Sequence, residues 1–505
     1  MFISKNLKKI IGIFFLILIC FLLLFAIKGN KSGENIEFQS SYDRVTGGPF
    51  ESSGSTSRYA LTQAIVENNS LFFNFSQTEF AAPDVADSDG KYFSIFTPGV
   101  SILGIPLYLL GKAVGTPQLF TYFLNIIIAL IDLLLVAKLT RKAGANAYTS
   151  LVSGIVFVFA TNLLPYAGSY TQHVASSCLI LLGLLNALED RTFMRDLVLG
   201  ILVGIGLLLD IPNIFLLFPI LIYVFVKHIY VNKYEYKTKF SFRLIFFGVL
   251  LGLLPFLIFF GWYNYKTAGS AFKLAQFVGR SRIYAQQDVP TTNENGLKFN
   301  SPFKTRNQLL GSYILTVSSE RGVFYYSPIL ILGLIGFYLI FKNGKSRNLS
   351  YLLFSISLMD LIVYSMFSDY HGGWAFGSRY MIPAEAMLSV GVGYFLQHYL
   401  KSVKVLIIFL VLVSYSVFIN TLGAMTTTNI PPKAEAITLP PPATYTYKYN
   451  MNLVKENNIN SLIYNLVFQN KISAQSFVYV YAGLLILIIT SLQIIALDEQ
   501  RKSNM

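Results

Sequence analysis

The residues best suited to chemistry in this chain are acids and arginines set in polar breaks of an apolar sequence. Glu67, Glu79, Asp84, Asp87 and Asp89 crowd into one stretch, Arg58–Gly99, and no other part of the chain is as dense in carboxylates. Other polar breaks carry Arg58 and Tyr59, Tyr170 and His173, Asp210 and Asn213, Arg280 and Arg282, and Glu320 and Arg321. One more, DYHGGWAFGSRY, carries Asp369, His371 and Arg379. A carboxylate can take the proton of an acceptor hydroxyl, and a guanidinium can grip a phosphate with two N–H groups. Asp84, His173 and His371 are also types that could share a divalent ion bridging phosphate oxygens. Such a set suits transfer of a group from a phosphorylated, membrane-embedded donor. Set against it is the plainer reading that acidic loops are solvated and that arginines near helix ends anchor to headgroups.

The elements that must position these residues are membrane helices. The chain is 505 residues long, 54% hydrophobic and 13% charged, with mean hydropathy +0.55, and its apolar runs are long enough to cross a bilayer. That excludes an ordinary soluble enzyme. The net charge of +14 reads as Lys and Arg kept on cytoplasmic loops, not as a nucleic-acid surface. Cys20 and Cys178 both sit inside apolar runs, so they offer neither a disulfide framework nor metal-ligand spacing.

The chain is expected to be an all-α polytopic membrane protein with about 12 transmembrane helices and both termini cytoplasmic. Lys5, Lys8 and Lys9 precede the run Ile10–Ile27, which reads as an uncleaved first helix. The run 95–111 contains Pro98, Gly99, Gly104, Pro106 and Gly111, and is expected to lie on the outer surface, not to span. With that assignment, every basic cluster falls inside. They are Lys138/Arg141/Lys142, Arg191/Arg195, Lys227–Arg243, Lys342/Lys345/Arg347, Lys401/Lys404 and Arg501/Lys502. Asp210 and Pro212 break Leu197–Val226 into two helices. Residues 1–424 then form the transmembrane body, with a first external loop 28–94 and the surface helix 95–111. Residues 425–474 form a Pro- and Tyr-rich external loop, read as a partly ordered, extended cap. Residues 475–505 form the last span and a cytoplasmic tail.

Five segments recur in a recognisable order. They are SerThrSer followed by Arg58-Tyr59-Ala60, DGKYFSIFTPGVSILGIPLYLLG, TNLLPYAGSYTQH (161–173), SSERGVFYYSPILIL (318–332) and GGWAFGSRYMIPAEA (372–386). In that order the chain resembles the GT-C glycosyltransferases, the superfamily of protein O-mannosyltransferases and lipid A aminoarabinose transferases. The resemblance covers nearly the whole chain, with loose motifs. It implies a hexosyltransferase-like enzyme of the cell envelope, in the plasma membrane with its active face extracytoplasmic. A sugar would pass from a polyprenyl-phosphate donor to a lipid, glycan or protein acceptor, with inversion at the anomeric carbon. A carboxylate would serve as base, arginines would hold the lipid phosphate with or without a divalent metal, and membrane lipid would be a partner but nucleic acid would not.

Two positions depart from the family pattern. Its catalytic Asp falls here on Ser55, with Thr56 beside it, and its Lys before Pro-Pro falls on Thr97. Asp84 is therefore the first candidate for the base, with Asp87 second and Asp43 and Glu51 in reserve. Asp89 in Asp-Gly reads as a turn former. Arg58, Tyr59, Arg321, Arg379, His173 and His371 are the candidates for contacting substrate or lipid phosphate, with Asp84, His173 and His371 for a metal. Arg58 is expected on a helix whose apolar positions face the membrane. Gly372, Gly373 and Gly377 are expected to bring backbone close to substrate. Two other readings stand beside the transferase: a flippase of a lipid-linked substrate, and a non-catalytic relative that binds polyprenyl lipid.

Overall fold

The protein was analysed as a computed structural model, which describes residues 5–29, 47–234, 237–242, 246–278, 303–344 and 346–503. Asp43, Arg280 and Arg282 lie outside the described residues. Each apolar run of the sequence becomes a helix. Among the described residues, five helices are long and apolar enough to cross a membrane: Pro117–Ala143, Phe247–Ala268, Arg347–Ser365, Val403–Met425 and Ala474–Arg501. Shorter apolar helices pack among them, including Ala147–Phe159, His173–Leu188 and Asn213–Lys227. Helix Ile382–His398 runs through the middle of the bundle, with every residue from Ile382 to Leu396 buried. Phe247–Ala268 lies at the outside, where Leu250, Leu254, Leu257, Ile258 and Trp262 are exposed. That stripe is the surface a helix presents to lipid.

Lipid tails are as apolar as leucine, so helices in a bilayer associate through close packing at small residues. The Phe193–Leu209 and Phe247–Ala268 helices meet in this way. A methyl group at Gly200 would come within 2.1 Å of Val249 O, and one at Gly252 within 2.1 Å of Leu197 O. The break expected at Asp210 and Pro212 is present. One helix ends at Leu209 and the next begins at Asn213, whose side-chain amide donates to Gly206 O at 3.1 Å.

Three elements of the first loop build one wall of the site. Helix Ser53–Asn68 is followed by a hairpin of strands β1 (Val85–Ser88) and β2 (Lys91–Ser94), then by helix Gly99–Ala113. The hairpin pairs Ser88 with Lys91, leaving Asp89 (φ 55°) and Gly90 (φ 73°) as its two turn residues. Two positive φ values in succession are what a two-residue hairpin turn demands, and Asp-Gly supplies them. Helix Ser53–Asn68 does not face lipid as expected. Tyr59, Ala60, Leu61 and Ala64 are all buried, because serine and threonine weld its other side to the protein. Ser57 Oγ donates to Asp84 O at 2.8 Å, Thr62 Oγ1 donates to Ser101 O at 3.0 Å, and Ser101 Oγ donates to Arg58 O at 2.9 Å.

Residues 425–474 hold more structure than an extended cap. They contain the helices Lys433–Ala436 and Lys448–Lys455 and a π-helical turn, Tyr464–Phe468. They are also stitched to the end of the first helix, through Gly29 N–H to Asn460 O and Leu462 N–H to Ile27 O, both 2.9 Å. The last carbonyls of Val403–Met425 would otherwise be orphaned. Buried Lys28 takes them instead, its Nζ donating to Ala424 O at 2.7 Å and to Thr426 O at 2.8 Å.

Candidate functional site

A cavity of about 550 Å³ opens between the first loop, the start of helix His173–Leu188, the 369–380 turn and the 429–435 segment. Its deep lining is charged. Arg58, Asp84 and His173 are 3%, 4% and 4% exposed, and Arg379 and Tyr380 line the same space. Residues from four separate stretches of sequence therefore meet at one place.

Arg58 reaches the cavity from helix Ser53–Asn68. Its guanidinium stacks 3.8 Å above the Phe96 ring and donates to Gly54 O at 2.7 Å and to Gln172 Oε1 at 2.6 Å. Gln172 in turn donates to Asp210 Oδ2 at 2.9 Å, so Arg58 is tied through an amide to a buried acid. Burial pulls the Arg58 guanidinium down to about 10, with Asp210 and Asp84 opposing that fall. It is charged at neutral pH. Arg379 precedes helix Ile382–His398 and lies beside Tyr380, whose ring stacks on Tyr364 at 4.4 Å. The Nε atoms of Arg58 and Arg379 are both buried, and neither has a hydrogen-bond acceptor among the described residues. Two cations with unused donors in one cavity call for an anion.

Asp84 ends the turn before β1. Its backbone carbonyl is held by Ser57 Oγ at 2.8 Å, which fixes the residue against helix Ser53–Asn68. Asp87 is different. It is exposed, lies outside the cavity lining, and accepts from Gly90 N–H at 3.0 Å to close the hairpin turn. Asp87 stands at the solvent-exposed turn end of the hairpin, past buried Val85 and Ala86, and a base exposed there has no enclosed substrate to act on.

Other expected contacts also fall outside the cavity. Arg321 is fully buried. Its Nε–H donates to His371 O at 3.0 Å, and its other N–H groups donate to Glu320 O, Gly373 O and Ile430 O at 2.9, 3.2 and 3.0 Å. With its donors taken by backbone carbonyls, Arg321 is a clasp between loops. Tyr59 lies among Phe50, Phe80, Tyr108 and Tyr122 in an aromatic cluster. His371 turns to Asp369, with Nδ1 and Oδ1 2.7 Å apart. Burial tends to raise the Asp369 carboxyl, but His371, the Gly373 N–H and Arg379 together hold it below the usual carboxylate range.

The two departures from the family pattern have structural occupants. Ser55 Oγ accepts from Tyr170 N–H at 3.3 Å, and Thr97 Oγ1 donates to Leu209 O at 2.9 Å. Glu51, held in reserve as an acid, lines the cavity, but its carboxylate is taken up by other donors. It accepts from Gly47 N–H at 2.6 Å, from Thr428 N–H and Oγ1 at 2.8 and 2.7 Å, and from the Thr427 hydroxyl. No cluster of three His, Cys, Asp or Glu side chains that could hold a metal ion occurs among the described residues. Asp84 and His173 share the cavity, but His371 is directed to Asp369, so the expected trio does not assemble. The cavity's fixed positive charge is arginine.

Of the glycines, Gly373 lines the cavity, whereas a methyl at Gly377 would strike Asn162 Oδ1 at 2.2 Å. That close approach is to protein. Sequence reasoning missed Gln172, Phe96, Tyr380, Asn429 and Glu435. Gln172 and Tyr380 adjoin His173 and Arg379, which was a usable signal. For Glu435, one acid in a Pro-rich loop, there was none.

Neither a family model nor a curated protein matches the sequence. Solved structures do. ArnT from Cupriavidus metallidurans bound to undecaprenyl phosphate is similar with a TM-score of 0.50 and 11% identity, over 99% of this chain and 79% of that one. The apo form of the same protein gives 0.49 at 11% identity, over 96% and 77%. The Archaeoglobus fulgidus oligosaccharyltransferase complexed with Zn and sulfate gives 0.44 at 10% identity, over 84% of this chain and 54% of that one. At such identities the likeness speaks to architecture: the chain shares the fold of ArnT.

Proposed function

We propose that this protein is a membrane glycosyltransferase that moves a hexosyl group from a polyprenyl-phosphate donor to an acceptor on the extracytoplasmic face of the plasma membrane. The observation that carries this reading is the meeting, in one cavity, of a buried carboxylate and two guanidiniums with unused Nε–H donors. A lipid phosphate would offer acceptor oxygens to the two Nε–H groups left open. The similar ArnT was crystallised with undecaprenyl phosphate, which supports that class of lipid as the donor's carrier. The distribution of basic loops supports about 12 spans with both termini cytoplasmic and the cavity outside. Residues 1–424 would be the transferase body, 425–474 its cap, and 475–505 the last span and tail.

The steps follow from the groups present. The acceptor hydroxyl oxygen attacks the anomeric carbon while Asp84 takes the hydroxyl proton. The bond from that carbon to the phosphate oxygen breaks, and the lipid phosphate leaves with the electron pair. Arg58 and Arg379 hold its new charge, and being pre-positioned they need little rearrangement to do so. Attack opposite the leaving group inverts the anomeric carbon. His173 and Tyr380 wall the site and restrict water.

The test is reconstitution with a set of polyprenyl-phosphate sugars, comparing the wild type with Asp84→Asn. Transfer by the wild type that drops in the variant supports the reading. Undiminished transfer in the variant removes Asp84 as base. Binding of polyprenyl phosphate without transfer to any acceptor makes the protein a lipid-binding relative.

A further inference from the structure

The cavity has a second pole that the reaction above does not use. Exposed Trp374 and Glu435 line it there, with half-buried Asn429 and Asp369. Trp374 is 42% exposed. The chain has two tryptophans, and the other, Trp262, lies in the exposed apolar stripe of helix Phe247–Ala268. Lipid explains an exposed indole there. It does not explain one on the rim of a charged cavity.

Trp374 is also held rigidly. Its Nε1–H donates to Glu435 Oε2 at 2.5 Å. On one side Gly373 N–H donates to Asp369 Oδ1 at 3.0 Å, and on the other Ala375 N–H donates to Ile430 O at 2.9 Å. Arg321 grips Gly373 O and Ile430 O as well, so the clasp braces the turn on which the indole stands. A flat apolar face fixed in advance, with carboxylates and an amide around it, is complementary to a sugar ring. Such a ring has a C–H face to lay on the indole and hydroxyls at its edge to hydrogen-bond. Because the indole is already ordered, binding would lose little conformational entropy.

We infer that Trp374, Glu435, Asn429 and Asp369 form a carbohydrate subsite for the acceptor, which is an uncharged glycan. This rests on the glycosyltransferase reading and makes it specific. Around Trp374 the side chains of Glu435, Asn429 and Asp369 are polar, which suits the hydroxyls of a glycan. The carboxylates of Glu435 and Asp369 disfavour an anionic acceptor. With the donor phosphate on Arg58 and Arg379, a glycan on Trp374 would extend its terminal hydroxyl inward toward Asp84.

The full-length protein with Trp262→Phe leaves Trp374 as the sole reporter. In nanodiscs it is titrated with maltose, cellobiose and chitobiose, and separately with glucose 1-phosphate. A saturable change in indole emission with a neutral disaccharide, persisting in Arg379→Ala, is expected. In transfer assays Trp374→Ala should raise the acceptor KM at least tenfold with kcat and polyprenyl-phosphate affinity unchanged, and Trp374→Phe should restore part of it. No saturable response to any of the three disaccharides overturns the subsite, as does a response to glucose 1-phosphate alone. Polyprenyl-phosphate binding, measured on the same sample, separates the two failures. If it persists while sugars do not bind, only the subsite falls; if it is absent, the glycosyltransferase reading falls.

Discussion

Arg321 and Arg379 look alike in the sequence: each follows a polar turn and precedes an apolar run. Folding gives them opposite roles. Arg321 is fully buried and directs its donors to the carbonyls of Glu320, His371, Gly373 and Ile430. Arg379 stands on the cavity wall with its Nε–H unmatched. One guanidinium joins the 369–375 turn to the 429–433 segment, and the other keeps an Nε–H donor open beside the cavity. Asp84 and Asp87, three residues apart, divide in the same way: one is buried in the cavity and the other closes a solvent-exposed turn. Where the fold places a charged residue, against carbonyls, in a solvent-exposed turn or on a cavity wall, separates residues that the sequence makes look alike.

Substitution of Arg321 should have the largest effect. Arg321→Ala removes a donor from four carbonyls; Ile430 O keeps Ala375 N–H and Glu320 O keeps the Tyr326 hydroxyl, while His371 O and Gly373 O lose theirs, at about 1–3 kcal/mol for each group left unsatisfied. The expected result is loss of folded protein, or a thermal midpoint in detergent far below wild type. Lysine should rescue poorly, since it lacks the planar fork. A variant that keeps its melting temperature and loses only transfer would place Arg321 in the site after all.

Next in size is Asp84→Asn, which should lower kcat by about 10²–10⁴-fold, the range for losing a general base. A melting temperature near wild type would assign that loss to the missing base and not to the fold. Arg379→Ala should cost about 10²–10³-fold in kcat, as when one donor to a developing anion is removed. It should also weaken binding of undecaprenyl phosphate, read by the shift in thermal midpoint on adding the lipid. Equal stabilisation of variant and wild type would show that Arg379 does not hold the phosphate.

The smallest effect belongs to Asp87→Ala. It removes the hydrogen bond to Gly90 in an exposed turn, so stability should fall by about 0.5 kcal/mol, with transfer unchanged. A large loss of activity would put Asp87 back among the catalytic candidates. At the mouth, Glu435→Gln keeps the size of its side chain and should preserve the position of Trp374. Glu435→Ala should free the indole and show increased quenching by iodide.

Much of the architecture was legible because it follows from local properties. An apolar run must satisfy its backbone within a helix wherever water is absent, so runs of residues translate directly into helices. A proline after Asp210 ends one helix and starts another, and Asp-Gly at 89–90 makes the turn that it favours in isolation. The helices, their breaks and the polar stretches between them could therefore be drawn from the order of residues. The GT-C resemblance in the order of motifs agrees with the fold that the structure shows.

The site was legible only as a pool of candidates. The partners of Arg321 lie 50, 52 and 109 residues away along the chain, and Glu51 meets Thr427 and Thr428 across more than half its length. No spacing rule reaches so far. Residue type specifies what a group can donate or accept, and so the sequence by itself determined a membrane protein carrying acids and arginines in its polar loops. Which donors stay open depends on which carbonyls folding brings against them. Only the tertiary structure decided that Arg58, Arg379 and Asp84 face one cavity, while Arg321, Glu51 and Asp87 hold the protein together.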